Sequence, residues 1–371
     1  PRSTLFPYTT LFRSGRAGDY YFQITTGNPS LGAWRTALRV LAGEAALYLK
    51  RGAWPTPTTA DYKSERPGSD GFILSSSQFN ANEVWYVLVR ATEGSQWSLV
   101  SGSPYVQDLG TVAANNASSS GPVEIGPEGL RYFRATATAD MLAWRLWLKS
   151  TNLMTNAIFI KKASLPFPVA NGFELLQSGQ MLMVPPYLVA GQQYFVGVLG
   201  SPGQVVDLDC RQQPILNLPF NSSFTTNVSG YGYVTFQVNV PSNQVAAWQI
   251  TLPSTNGNPN VAVRARLAPN ESYNDGFSEL SGPVMDHLTL VRPVLKDGLN
   301  FITVYSPTNF SYQFTLGNAP VPVTDINYTA SAVNLDTNRL GWVYFRVSNI
   351  TNQLGTLGWD LLLTNFAPGT Q

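Results

Sequence analysis

The sequence predicts an all-β protein built from tandem β-sandwiches. One observation is a ten-residue stretch, Ala46–Pro55, which recurs as Ala157–Pro166 and in a degenerate form at Val261–Pro269. In each copy an alternating apolar strand ends in a basic residue, and a proline follows five positions later. The other observation is that the apolar runs are short, alternate with period two and lie between clusters of Gly, Pro, Asn and Ser, with no long segment of helical period. The chain therefore carries one β module that repeats roughly every 100–110 residues.

Each repeat opens with an aromatic-rich strand, and a tryptophan follows it. The strands are Tyr20–Ile24, Arg131–Arg134, Val234–Val238 and Trp342–Val347. The tryptophans are Trp34, Trp144, Trp248 and Trp359. An enclosed tryptophan buries up to about 250 Å² and needs one acceptor for its indole N–H. We therefore predict that these four residues are structural anchors, one in the core of each sandwich.

The second half of each repeat holds the recurring stretch and then two further strands. The apolar strands are Val84–Val89, Tyr194–Leu199 and Asn300–Tyr305. In each copy another strand lies eleven residues beyond an aromatic of that run, around Trp97, Val206 and Tyr312. Alternation along these runs places successive side chains on opposite sheet faces, as a sandwich requires.

Polar spacers predict the domain organisation. They divide the chain into sandwiches at 15–112, 113–220 and 221–320, followed by an incomplete repeat at 321–371. The spacers are short, so adjacent modules should touch or be joined semi-rigidly. The fourth repeat ends soon after its tryptophan and cannot close its own sandwich. We interpret it as truncated, or alternatively as a donated strand that completes a neighbouring subunit in a filament.

The first fourteen residues need separate treatment. Residues 1–14, PRSTLFPYTTLFRS, resemble one reading frame of a widely used short-read sequencing adapter, and no initiator methionine precedes them. We therefore expect an adapter-like artefact that lies outside the fold. On this interpretation the natural N-terminus, with any signal peptide or upstream domain, is not in the sequence.

Composition limits the possible partners and compartment. Charged residues make up 12% of the chain, against the usual ~25%, and the net charge is only +1. Nothing in this balance attracts nucleic acid. The single cysteine, Cys210, excludes an intrachain disulfide, and no apolar run reaches the ~18–20 residues of a membrane helix. This pattern is typical of β-rich extracellular proteins, so we expect an extracellular or cell-surface location.

Residues 20–101 resemble the bacterial pre-peptidase C-terminal domain. The likeness rests on Leu47–Gly52, Pro55-Thr56, Tyr62, Gly71-Phe72 and Trp85–Val89. It is weaker over 131–210 and 232–317, where mainly the strands and the spacing from the basic residue to the proline persist. The resemblance implies jelly-roll-like sandwiches that follow the catalytic domains of secreted peptidases or stand in tandem on large extracellular proteins.

Some domains related to that family bind calcium or collagen, and the family usually has acidic residues just before its Leu-Tyr strand. Here that segment is Glu44-Ala45-Ala46, with a single carboxylate, and the corresponding residues of the other repeats have none. Calcium takes six to eight oxygen ligands, carboxylates among them. We therefore predict no cofactor and no metal site, although the resemblance leaves calcium open.

The residues that could carry chemistry are few. His287 is the only histidine, and Asp286 beside it should face the other side of its strand, so we read His287 as structural or surface-exposed rather than as a general base. Cys210 lies near Asp207 and Asp209, which should raise its pKa, so we read it as a buried structural thiol. The two aspartates share one strand face and could hold a cation, although a solvated face is the favoured interpretation. No catalytic residue is predicted.

The candidate binding residues are Trp54 and Tyr62. Trp54 lies in the turn after Lys50, where the other repeats have Leu165 and Ala268, so the fold does not demand an aromatic there. With Tyr62 it could form a stacking platform for a sugar ring or an extended polypeptide. The alternative is that Trp54 only covers the rim of the sandwich.

Three functions stay open on the sequence. The leading hypothesis is a non-catalytic extracellular repeat array that acts as a spacer, or as a binding and adhesion module for polysaccharide or protein. The second is the C-terminal accessory region of a secreted peptidase or other hydrolase. The third is the filament subunit with a donated strand.

Overall fold

A computed structural model describes residues 3–5, 10–14, 16–28, 31–112, 118–150, 156–168, 173–228, 232–242, 245–280, 285–306, 311–327 and 343–348. These residues form 31 β-strands and no helix. The strands assemble into three successive two-sheet sandwiches and one further strand pair. The prediction of an all-β chain of tandem, jelly-roll-like sandwiches is confirmed.

The strands of sandwich 1 are β1 (Ser3–Leu5), β2 (Thr10–Ser14), β3 (Gly18–Thr25), β4 (Ala33–Ala42), β5 (Ala45–Arg51), β6 (Tyr62–Ser64), β7 (Asp70–Ser75), β8 (Val84–Ala91) and β9 (Gln96–Gly102). The strands of sandwich 2 are β10 (Val106–Val112), β11 (Ser118–Ser119), β12 (Val123–Glu124), β13 (Leu130–Ala137), β14 (Trp144–Ser150), β15 (Ala157–Lys162), β16 (Leu175–Ser178), β17 (Gln180–Met183), β18 (Gln193–Leu199) and β19 (Val205–Gln212).

The strands of sandwich 3 are β20 (Ile215–Asn217), β21 (Ser222–Val228), β22 (Tyr233–Val240), β23 (Ala247–Leu252), β24 (Ser254–Asn256), β25 (Asn260–Ala265), β26 (Gly276–Ser278), β27 (Asp286–Val291), β28 (Gly298–Tyr305) and β29 (Tyr312–Pro320). The final pair is β30 (Val323–Asn327) and β31 (Tyr344–Ser348).

The three sandwiches share one topology. Their first sheets have the orders β1-β3-β8-β5-β6, β10-β13-β18-β15-β16 and β20-β22-β28-β25-β26. Their second sheets have the orders β2-β9-β4-β7, β11-β19-β14-β17 and β21-β29-β23-β27. Each recurring stretch of the sequence is thus an inner strand of a first sheet, and Trp34, Trp144 and Trp248 lie on inner strands of the second sheets.

The opening strand of every repeat pairs in parallel with the aromatic strand, and the register is the same four times. Ser3, Gln107, Leu216 and Thr324 lie opposite Phe22, Phe133, Phe236 and Phe345. The pair β30–β31 is therefore the start of a fourth copy of the blueprint. Trp359 and the strand that could be donated to a neighbour lie outside the described residues.

Strand pairing moves two of the predicted domain boundaries. Residues 106–112 and 215–217 pair with the sandwich that follows them, so the changeovers fall at 103–105 and 213–214 rather than after 112 and 220. The cause is that the polar segments taken as spacers contribute strands to the sandwich that follows them. Indeed 222–228 is itself an edge strand, in which Phe224 and Val228 pack on the core while alternate polar residues face outwards.

The adapter-like residues also take part in the sheets, contrary to our expectation that they lie outside the fold. Ser3–Leu5 is the parallel edge strand of the first sheet, and Thr10–Ser14 pairs antiparallel with β9 in the second sheet. These are the places that β10 and β11 hold in sandwich 2. Likeness to an adapter does not predict this outcome, because a short edge strand joins a sheet through backbone hydrogen bonds that many sequences can supply.

Each sandwich has its own apolar core between its two sheets, and the anchor tryptophans lie in these cores. Trp144 and Trp248 have no exposed surface, and Trp34 is 5% exposed. Ser101 accepts a hydrogen bond of 2.8 Å from the indole N–H of Trp34. The indole nitrogens of Trp144 and Trp248 have no such acceptor within the described part of the chain.

The sandwiches are stacked rather than merely linked. In sandwiches 1 and 2 the outer face of the second sheet packs on the outer face of the first sheet of the next sandwich, which gives two further apolar clusters between modules. Strands of the stacked sheets are consequently buried on both faces, as in Gln193–Leu199, where five consecutive residues are buried. Alternation alone does not predict this second buried face.

Candidate functional site

An accessible aromatic group lies on the outer face of the first sheet of sandwich 1. We call Tyr21, Trp54 and Tyr86 the aromatic shelf. The ring centroid of Trp54 is 4.3 Å from that of Tyr86 and 5.5 Å from that of Tyr21, the latter in an edge-to-face arrangement. Trp54 is 38% exposed, whereas its counterparts Leu165 and Ala268 are each 2% exposed. The turn after Lys50 therefore presents an aromatic surface only in this sandwich.

Tyr62 does not belong to the shelf. Its ring packs against Phe72 and Trp85, with centroids 5.9 and 6.0 Å away, at the edge of the core. Trp85 and Tyr86 are neighbours on one strand, and successive strand residues point to opposite faces. The structure thus places Trp54 and Tyr62 on opposite sides of the sheet and does not bring them together as one platform. The residues that sequence reasoning missed beside Trp54 are Tyr21 and Tyr86, whose contact depends on pairing between distant strands.

An open groove of about 410 Å³ adjoins the same face, near the start of the Leu-Tyr strand. Its lining includes Glu44, Tyr48, Glu65, Arg66 and Arg90. The Tyr48 hydroxyl donates to the Glu65 carboxylate at 2.7 Å. Burial, together with the neighbouring Glu65, raises the pKa of Tyr48 to about 12, so this phenol stays protonated at neutral pH. The groove therefore offers polar groups of both charges.

A cross-strand ion pair bounds the groove. Arg90 donates two hydrogen bonds of 2.8 Å to Asp19, and this guanidinium holds the pKa of the Asp19 carboxyl below its usual range. Both side chains are largely exposed, so the pair contributes little to stability. Its effect is to keep this edge of the face hydrophilic.

His287 has no catalytic partner in the carboxylate beside it. Asp286 is 1% exposed and accepts hydrogen bonds from the Ser278 hydroxyl and the Leu280 backbone N–H. The His287 ring instead has its Nδ1 3.5 Å from the backbone carbonyl of Met285. The two side chains are directed to opposite sides of the strand, as the alternation of the strand predicts.

Cys210 is fully enclosed in the core of sandwich 2. Burial, with Asp209 and Asp207 nearby, raises the pKa of the Cys210 thiol well above its usual range. A thiol nucleophile needs a thiolate that substrate can reach. This position can therefore serve packing only.

Asp207 and Asp209 are neutralised within the chain. Lys149 lies 3.1 Å from Asp209 and 3.8 Å from Asp207, and Arg211 lies 2.5 Å from Asp209. Hydrogen bonds from Arg211 and Lys149 lower the pKa of Asp209 against the opposing effect of its burial, which is the largest single contribution. The charges that a cation would supply are provided by side chains.

A repeated serine–aspartate contact is a feature that sequence reasoning missed. The Ser64 hydroxyl donates to Asp70, and the Ser278 hydroxyl donates to Asp286. In both cases the backbone N–H two residues after the serine also donates to the carboxylate. The aspartates are 0% and 1% exposed, so these contacts hold the β6–β7 and β26–β27 connections closed. The only sequence signal was a serine and an aspartate at similar places in two repeats.

Metal ligands are not clustered. Among the described residues no group of three or more His, Cys, Asp or Glu could hold a metal ion. The same part of the chain contains no helix long and apolar enough to span a membrane.

Comparison with known proteins gives structural likenesses only. No family model and no curated protein matches the chain. The pre-peptidase C-terminal domain of collagenase from Bacillus anthracis matches with a TM-score of 0.25 and 13% identity, over 29% of this chain and 97% of that one. Aeromonas hydrophila PliG, a periplasmic inhibitor of g-type lysozyme, matches with a TM-score of 0.22 and 16% identity, over 29% and 96%. An archaeal virus protein described by its triple jelly roll fold and turret assembly matches with a TM-score of 0.19 and 10% identity, over 84% and 88%. Scores at this level carry no argument about function.

Proposed function

We propose that this chain is a non-catalytic, extracellular array of stacked β-sandwiches that acts as a spacer and presents binding surfaces to polysaccharide or protein. The observation that carries the proposal is the stacking itself. Two apolar interfaces of the same construction join three sandwiches, so the array holds its surfaces at fixed separations. A flexible string of domains would lack such contacts.

The first interface combines apolar and ionic contacts. Ala33 and Ile73 of sandwich 1 meet Tyr132, Phe159 and other apolar residues of sandwich 2. At its edge Arg35 pairs with Glu128, and Arg66 donates a hydrogen bond of 2.8 Å to the backbone carbonyl of Pro127. Polar contacts at the rim of an apolar patch fix the orientation of the two modules.

The second interface repeats this arrangement. Ala143 and Leu182 of sandwich 2 hold the places of Ala33 and Ile73, and they pack on Tyr233, Ala262 and Tyr305 of sandwich 3. Asn270 donates a hydrogen bond of 2.9 Å to the carbonyl of Leu182, and Arg264 donates one of 2.6 Å to the carbonyl of Pro185. Because both junctions are built alike, the array has a regular repeat.

Several features support a non-catalytic role. The sequence singles out three residues for nucleophilic or acid–base chemistry, Cys210, His287 and Asp286. Each is separately engaged in packing or structural hydrogen bonds. The polar and aromatic surface of sandwich 1 is suited to binding instead, with Trp54 as its exposed contact.

The experiment for this proposal has two parts. Small-angle X-ray scattering on the full chain should give one extended, rigid particle whose length does not change with salt. Glycan arrays and matrix-protein pull-downs should show retention that Trp54→Ala reduces and Phe277→Ala, at another exposed aromatic, does not. A flexible-chain scattering profile would contradict the stacked array, and absence of retention on every ligand would leave the spacer role alone.

The second candidate is an accessory region of a secreted hydrolase, in particular a peptidase. The resemblance of residues 20–101 to pre-peptidase C-terminal domains supports it, together with a sandwich fold repeated in tandem. The complete reading frame decides this alternative. A frame that encodes a protease motif upstream supports it, whereas a frame that encodes only further sandwiches contradicts it.

A further inference from the structure

The outer face of the first sheet is a docking face in sandwiches 2 and 3. In sandwich 2 its centre is Gly197, flanked across the sheet by Tyr132 and Phe159. The Phe159 ring lies so close over Gly197 that it leaves no room for a side chain there. In sandwich 3 the corresponding centre is Thr303, flanked by Thr235 and Ala262. In both sandwiches the preceding module packs against this face.

Sandwich 1 has aromatic residues at the same register positions. Leu88 takes the central place, flanked by Tyr21 and Tyr48. Tyr86 stands where Phe195 and Phe301 stand, since each lies opposite the basic residue of the recurring stretch. Trp54 stands where Leu165 and Ala268 stand, four residues after that basic residue. The aromatic character of the docking face in sandwich 2 is thus kept in sandwich 1.

The ion pair at the edge of this face fits the same role. Asp19 and Arg90 occupy the cross-strand positions of Leu130 and Leu199 in sandwich 2. Leu199 is 37% exposed although its face is docked, so this position lies at the rim of the interface. An apolar centre with a polar rim is the usual anatomy of a protein–protein interface.

The two existing junctions show which surface of a sandwich packs against this face. Ala33 and Ala143 directly precede the anchor tryptophans Trp34 and Trp144, and both are fully buried between modules. Beside them Ile73 and Leu182 hold equivalent places, opposite Arg35 and Arg145. A small residue at this place lets two sheets approach closely, so the complementary partner is a sandwich that presents an Ala-Trp strand.

We infer that the outer face that presents Tyr21, Trp54 and Tyr86, with Tyr48 and Leu88 already buried within it, is the docking surface for a further sandwich of this repeat type, placed immediately before sandwich 1 in the same polypeptide. We place the partner in the same polypeptide because both existing junctions join sandwiches that are neighbours in sequence, across the short links 103–105 and 213–214. The inference rests on the proposed stacked array, and it names the partner that covers the aromatic shelf.

The test extends the full chain at its N-terminus with a second copy of residues 1–105, so that the native link of sandwich 1 precedes the docking face. The added copy carries Trp54→Phe, and hydroxyl-radical footprinting then reports on Trp54 at the junction alone. We expect Trp54 to be oxidised severalfold more slowly in the extended chain than in the unextended chain. Trp85, which is 1% exposed, serves as the control for folding in both.

A matched variant places Ala33→Asp in the added copy. Its docking strand then carries a charge while its own core is unchanged, so the protection of Trp54 should be lost. Equal oxidation of Trp54 with and without the added copy overturns the inference. The inference is also overturned if Trp54 of the unextended chain becomes more protected as the protein concentration rises, because a second copy of the chain would then be the occupant. Glycan retention that is equal in the extended and unextended chains, and that Trp54→Ala abolishes in both, would assign the face to saccharide instead. None of these results depends on whether the array binds a ligand elsewhere, so failure here and failure of the proposed function can be told apart.

Discussion

Cys210 holds in sandwich 2 the register position that Ser101 holds in sandwich 1. Leu146 pairs with Cys210 two residues after Trp144, as Thr36 pairs with Ser101 two residues after Trp34. Ser101 accepts the indole N–H of Trp34, whereas the indole nitrogen of Trp144 has no acceptor in the described structure. The second core has therefore exchanged a hydrogen-bonded serine for an apolar thiol.

The exchange predicts that Cys210→Ser is tolerated. A buried hydroxyl without a partner costs about 1–3 kcal/mol, but a serine here can accept from Trp144 as Ser101 does from Trp34. We expect the free energy of unfolding to change by less than about 1 kcal/mol. Denaturant titration followed by near-UV circular dichroism measures it, with Cys210→Thr as the control that adds volume. If Cys210→Ser instead lowers the free energy of unfolding by the full cost of an unpaired buried hydroxyl, the serine does not reach the indole.

Trp144→Ala should unfold sandwich 2. Removing a fully buried tryptophan leaves a large cavity and costs about 3–5 kcal/mol, a large part of the stability of one module. Trp147 is the matched control, because it lies on the same strand but on the outer face, between Arg145 and Lys149. We expect Trp147→Ala to cost only about 1 kcal/mol. Calorimetry checks both, and a thermal midpoint that hardly moves in Trp144→Ala would contradict the anchor role.

Asp70 should make sandwich 1 more stable in mild acid. Burial raises the pKa of its carboxyl above the usual range, although hydrogen bonds from Ser64 and Arg66 oppose this. The folded state therefore holds the Asp70 proton more tightly than the unfolded chain does. The stabilisation is complete below the pKa of the unfolded carboxyl, near ~4, and is lost as the pH rises through the folded-state pKa.

The measurement compares wild type with Asp70→Asn at pH values from 7 down to 4. As the pH falls, the unfolding free energy of the wild type should rise relative to that of Asp70→Asn. Asp19→Asn, followed further down to about pH 2, is a control of opposite sign, because Arg90 lowers the pKa of Asp19 and the wild type should lose ground only below about pH 4. Parallel pH profiles of wild type and Asp70→Asn would refute the role of the buried carboxyl.

The Arg35–Glu128 pair should couple the unfolding of sandwiches 1 and 2. The Glu128 side chain is only 5% exposed and that of Arg35 is 22% exposed, so either one left alone is a poorly solvated charge. We expect each single alanine variant to cost more than the pair removed together, with a coupling free energy of about 0.5–3 kcal/mol. A double-mutant cycle measures this energy, and additive effects would show that the pair does not join the modules. Arg134 and Asp108, an exposed pair within sandwich 2, form the control cycle.

Sequence reasoning anticipated the repeat and the core anchors because both depend on local pattern. Trp144 and Trp248 lie where the period placed them, and the recurring basic residue follows a buried strand each time. It placed the domain boundaries after 112 and 220 because it read polarity as a spacer, whereas residues 222–228 form an edge strand. Edge strands are held by backbone hydrogen bonds, to which composition is nearly blind.

The candidate site was only half visible for a similar reason. Trp54 could be singled out because its counterparts are leucine and alanine, but Tyr62 was joined to it through closeness in sequence. In the fold the neighbours of Trp54 are Tyr21 and Tyr86, which come from strands far away along the chain. Strand order decides such meetings, and no local pattern encodes it.

By itself the sequence determined that one sandwich blueprint is written several times and that a tryptophan recurs in each copy, and its net charge of +1 gives no reason to expect a nucleic-acid partner. Only the tertiary structure decided that successive sandwiches stack sheet upon sheet, and that the stacked face of sandwiches 2 and 3 reappears around Trp54 in sandwich 1. The physical reason is that period and hydrophobicity record which residues avoid water. They do not record which partner surface buries those residues, because that depends on contacts between residues distant in the chain.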